Sequence, residues 1–133
     1  MINIYLKKSK VNTYENHPLI VFFQIEEFIR KNKYEEAATL LIQKRSVFFN
    51  INNQKILHDL ILNQMLIMRQ LFTMGNFDLL AYVLLIDLTF YVEDHNLKAK
   101  FYLLSGNSAM ACHMNQHAII ILQNVYNLNC SSK

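Results

Sequence analysis

His113 and His117, four residues apart, are the first residues of this chain whose types and spacing could do chemistry. On one helix they would offer two ring nitrogens to a metal ion, because residues at i and i+4 share a face. The polar run His113 to Gln116 breaks the helical pattern between them, and no carboxylate lies near them in sequence, so no metal site is expected. The acid pairs Glu26-Glu27 and Glu35-Glu36 fall on the outer sides of helical patterns, where solvated charge is the ordinary explanation. There is no Gly-rich phosphate loop, nucleophile elbow or Cys-x-x-Cys spacing. The expectation is a protein that is not an enzyme and takes no cofactor.

Cys112 and Cys130 pair only if the fold brings them together, and two cysteines in 133 residues are no disulfide framework. Buried or idle thiols fit a reducing, cytoplasmic setting. The start MINIYLKKSK has its charges after a very short apolar run and lacks a small-residue cleavage pattern, so no secretory signal is read there. A net charge of +3 is too weak to argue for a nucleic-acid partner. Its distribution says more. Nine of the thirteen basic residues precede Asn63, and no Lys, Arg, Asp or Glu occurs from Phe101 through Ser132. Two readings stand: the C-terminal third is covered by a partner, or its outer face is made of Asn, Gln, Ser and His.

The elements that would carry these residues are helices. At 53% hydrophobic residues the chain can bury a core as one domain, and two Gly and one Pro suit helices with short turns better than a many-stranded sheet. Residues 1–17 are polar and basic, with Lys7, Lys8 and Lys10, and are expected to form a flexible N-terminal arm; 18–130 form the helical domain. Pro18 suits a first helical turn, and Val21, Phe22, Ile25, Phe28 and Ile29 recur at helical spacing through Arg30. A second helix starts at Tyr34 with acids in its first turn, and Lys44 and Arg45 mark its end. After a loop containing Asn50, Asn52 and Asn53, a long third helix spans about Lys55 to Met74 and closes at Gly75. The fourth, Phe77 to about Val92, is apolar almost all round, so it is expected to be the central helix, although too short and interrupted to span a bilayer. A last pair occupies Ala99 to Leu128, with Gly106 inside its first helix.

Three corners align. Asn32-Lys33-Tyr34, Gly75-Asn76-Phe77 and His113-Met114-Asn115 are followed at equal offsets by Ala37, Leu80 and Ala118, and then by Leu41, Leu84 and Leu122. Their spacings, 43 and 38 residues, exceed the roughly 34 of a tetratricopeptide repeat. Even so, KNKYEEA, MGNFDLL and GNSAMACHMNQHAI resemble that family's turns and small-residue positions. The fold expected is all-α: a short right-handed stack of about three antiparallel helix hairpins.

Over Leu19 to Leu128, including IEEFIRKNKYEEAATLLIQ and the MGNF corner, the layout is similar to the tetratricopeptide-like chaperones of bacterial type III secretion, above all those that hold the needle subunit. The resemblance implies a cytoplasmic chaperone that keeps an aggregation-prone secreted subunit monomeric, often together with a small helical co-chaperone; neither nucleic-acid binding nor membrane insertion is expected. In this repeat class the first helix of each hairpin lines the concave face. By register those positions are Leu19, Phe22 and Ile29, then Leu62, Met65 and Phe72, then Leu103 and Met110, with Glu26, Arg69 and Asn107 breaking the apolar series. The client-binding residues expected are Leu19, Phe22, Ile29, Leu62, Met65, Arg69, Phe72, Leu103, Asn107 and Met110. Such a trough suits the apolar face of an amphipathic helix. The same side chains also read as ordinary core. A different class fits the composition too: a compact viral or host-directed regulator of cell death, wrapped around one central helix, that binds a partner helix.

Overall fold

Three left-handed residues turn the backbone. The computed structural model describes residues 16–131, and of 129–131 only the backbone. Within it, φ is positive at Asn32 (60°), Gly75 (76°) and His113 (60°). Glycine takes this conformation freely, and asparagine and histidine enter it more often than other residues. At each corner the next residue donates its N–H to a carbonyl five positions back: Lys33 to Phe28 at 2.8 Å, Asn76 to Leu71 at 3.0 Å, Met114 to Ala109 at 2.8 Å. That bond satisfies a carbonyl the helix leaves open and fixes the direction in which the chain departs.

Six α-helices result among the described residues: α1 (Pro18–Arg30), α2 (Tyr34–Gln43), α3 (Gln54–Met74), α4 (Phe77–Leu84), α5 (His95–Ala111) and α6 (Asn115–Ser131). Short 3-10 segments cover Arg45–Asn50 and Thr89–Tyr91, and none of the described residues is in a strand. The protein is all-α. Helix starts are capped by side chains that take otherwise unpaired N–H groups. Asn53 accepts from Lys55 and Ile56, Asp94 from Asn96 and Leu97, Asn76 from Leu79, and the His17 ring from Leu19.

The corners fold α1 against α2, α3 against α4 and α5 against α6. First helices also meet one another, α1 with α3 and α3 with α5, while α2 touches α3 and α4, and α4 touches α5. Ala37, Leu80 and Ala118, at equal offsets after the corners, are all buried. Polar ties join neighbouring pairs: Asn76 donates to Glu35 at 2.6 Å, and Gln54 donates to the Tyr91 carbonyl at 2.9 Å. The last pair is the closest. A Cβ on Gly106 would lie 2.6 Å from Leu122 Cδ2, so any larger residue there would force the Leu122 side chain to shift.

Two expectations about the middle of the chain are corrected. The fourth helix stops at Leu84 instead of running to about Val92, and the central helix is α3. The reason is Gln64. Fully buried on α3, it donates its amide to the carbonyls of Val83 (3.2 Å) and Ile86 (2.8 Å), so the helix end is satisfied inside the core. Asp87 then accepts from the Thr89 N–H at 2.9 Å and from the Thr89 hydroxyl, opening a 3-10 turn. The apolar run continues inward without being helical: Ile86, Leu88 and Val92 are buried. The expected arm falls almost wholly outside the described residues, which begin with Asn16 in a turn and His17 as a cap. No helix among the described residues is long and apolar enough to cross a membrane.

Candidate functional site

The ten residues expected to line a groove divide between surface and core. Leu62, Phe72, Leu103 and Met110 are 44–54% exposed, whereas Phe22 and Met65 are 5% and 2% exposed. Leu19 lies near the surface of α1, Ile29 is half-buried, and Arg69 and Asn107 are exposed. Phe22 and Met65 are therefore core side chains in this fold, a correction to their placement on a client-facing wall. Register alone put them inward, and inward here means toward α2 and α4 as well as toward a concavity.

Three of the ten converge. Arg69 and Phe72, with Thr73, project from the last turns of α3, and Asn107, with Leu104, Ser108 and Ala111, from the facing turns of α5. Together they enclose a groove of about 440 Å³. Phe72 is held at its rim by an edge-on contact with Phe77 of α4, with centroids 5.9 Å apart. Leu62, Leu103 and Met110 continue the exposed line along the same two helices, since 62, 66, 69 and 73, and 103, 107 and 110, are helical neighbours. Thr73, Leu104, Ser108 and Ala111 were missed because a single line of positions was followed on each helix. The signal available was the small pair Ser108 and Ala111, which leaves room between helices.

Arg69 is the single charged lining residue, and its guanidinium has no ion-pair partner among the described residues. The acid pairs do not face the groove. Glu27 bridges Arg30 and Lys31, and Glu35 holds Asn76. These are exposed contacts, which stabilise little. His113 sits in the third corner and His117 in the first turn of α6, and no cluster of metal-ligating side chains occurs among the described residues. Cys112 is a free thiol that donates to the Phe77 carbonyl at 3.6 Å; burial, then the charge of Asp78, pushes its pKa up, away from nucleophilic use. The side chain of Cys130 lies outside the described residues, and with it the question of a Cys112–Cys130 bridge.

Chemically the groove can do one thing well, which is to take an apolar ridge and fix it by a few polar contacts. No family model, no curated protein and no solved structure matches this chain.

Proposed function

We propose that the protein is a cytoplasmic, tetratricopeptide-like helical-repeat chaperone of type III secretion, which holds an amphipathic helix of a secreted, needle-type subunit. The observation that carries this reading is the groove between α3 and α5, with its half-exposed Phe72, its exposed apolar line Leu62, Leu103 and Met110, and one unpaired cation. A groove of this kind receives an amphipathic helix through apolar anchors at i, i+3/i+4 and i+7. Arg69 gives the bound helix a register, because an acid on it would find a charge-assisted partner at the groove wall.

The pattern of helix contacts supports a stack of three hairpins over a globule wrapped around one helix. The first hairpin meets the second, and the second meets the third. The identical backbone bonds at Asn32, Gly75 and His113 support it further. In this reading α6 ends the stack, and its exposed Ile119, Ile120 and Tyr126 suit a small helical co-chaperone.

The test is co-expression with the small helical proteins encoded beside this chain, followed by purification. A stable complex that survives gel filtration and is lost on Phe72→Glu is the expected outcome. Recovery of the chain alone, with every such neighbour, overturns the reading.

A further inference from the structure

Away from the groove, a second cavity of about 170 Å³ opens between the end of α4, α5 and α6. Its lining mixes apolar side chains, among them Leu84, Phe101 and Ile121, with the polar Ser105, His117 and Asn124. Two of its polar atoms are buried without a partner: Ser105 Oγ, in a residue 1% exposed, and His117 Nε2. Folded proteins almost always pair such atoms, because an unpaired buried hydroxyl or ring nitrogen gives up its water for nothing. Two in one cavity mark a place built to be filled.

The cavity also defines what fills it. No Lys or Arg is among the residues that line it, so the wall itself offers no fixed cation to an anion. Its one carboxylate, Asp87, is already engaged: Oδ1 accepts from the N–H and hydroxyl of Thr89, and Oδ2 from the Tyr102 hydroxyl at 3.2 Å. A cation would have to compete with those bonds. The occupant is therefore neutral. It needs a group that both donates and accepts, to meet a hydroxyl and an imidazole nitrogen together, and an apolar body beside Phe101 and the aliphatic wall. At roughly 30 Å³ per water, the volume is worth about six waters, which is the size of one ring side chain and too small for a helix.

We propose that this cavity binds a phenol, whose hydroxyl sits between Ser105 and His117 and whose ring lies against Leu84, Phe101 and Ile121. The phenol is either a free small molecule or the tyrosine of a partner protein. Site and groove are independent, so either stands if the other fails.

The full chain, labelled with ¹⁵N, is titrated with p-cresol and, separately, with toluene. The expected result is saturable amide shifts around Ser105, His117 and Asn124 with p-cresol, and binding about fivefold weaker for toluene, the value of one net hydrogen bond. Ser105→Ala should weaken p-cresol and narrow its advantage over toluene, leaving the His117 contact. It should leave the melting temperature unchanged or raise it, because the hydroxyl it removes has no partner in the free fold. Equal binding of the two probes, shifts confined to the Phe72 and Asn107 groove, or no saturation overturns the proposal. So does a lowered melting temperature in Ser105→Ala, which would mean that a fixed water already satisfies the oxygen. A capped Leu-Tyr-Leu peptide separates the sources. Tighter binding than p-cresol supports the proposal with a partner's tyrosine as occupant, since the flanking residues would cover exposed Leu85 and Ile120; weaker binding supports it with a free phenol.

Discussion

Met65 and Phe72 lie two turns apart on one helix and were expected to play the same role. Their exposure, 2% and 48%, gives them different fates under one substitution. Met65→Glu places a carboxylate where nothing can pair it, at a cost comparable with the roughly 5–15 kcal/mol that holds a domain together, and should unfold the protein. Phe72→Glu leaves the new charge in water and should melt within a few degrees of the parent while losing the partner helix. Circular dichroism melts of both variants check this; similar melts for the two would mean that the groove is not open as described. A second residue-scale prediction concerns Tyr102. Burial, and then the charge of Asp87, raise its pKa against the lowering effect of the Thr89 contact. A folded-state pKa above the unfolded value of about 10 means that the neutral phenol stabilises the fold below that pH, and that this contribution is lost as pH rises through the folded pKa. Tyr102→Phe should therefore decline less steeply in melting temperature above about pH 10 than the parent.

Among the elements, the stretch after α4 depends on one side chain. Gln64→Leu keeps the volume but removes the amide that serves the Val83 and Ile86 carbonyls. Leaving those groups unpaired in the core should cost about 2 kcal/mol or more, measurable by urea unfolding. Hydrogen exchange should rise first at residues 83–92; a uniform rise would mean that this stretch is no separate unit. The same glutamine explains why the sequence misled. LLAYVLLIDLTFYV reads as one helix by its apolar content, and a glutamine nineteen residues before Val83 gives no sign that it will terminate it. The corners were legible for the opposite reason. Asn32, Gly75 and His113 act on bonds within five residues of themselves, so local chemistry was enough.

At the scale of the molecule, the uncharged stretch from Phe101 to Ser132 leaves Ile119, Ile120 and Tyr126 exposed on α6 and Leu85 beyond α4. Apolar side chains without charges between them have little to resist association. The isolated protein should self-associate as its concentration rises, and Ile119→Lys should shift the sedimentation equilibrium toward monomer without lowering the melting temperature. A parent chain that stays monodisperse at high concentration would assign this surface to its Asn, Gln and His residues instead.

By itself the sequence determined the helical class, the places where the chain reverses and the glycine that closes α3, because periodicity and turn chemistry are local properties. It also marked Arg69, Phe72 and Asn107, which do meet at one groove. Tertiary structure alone decided which apolar positions face water. Phe22 and Leu62 both sit at inward registers, and only the neighbours that α2, α4 and α5 supply bury one and leave the other out. It alone decided, too, that Ser105 and His117 share a cavity, because they lie on different helices and only the packing of α5 against α6 brings them together.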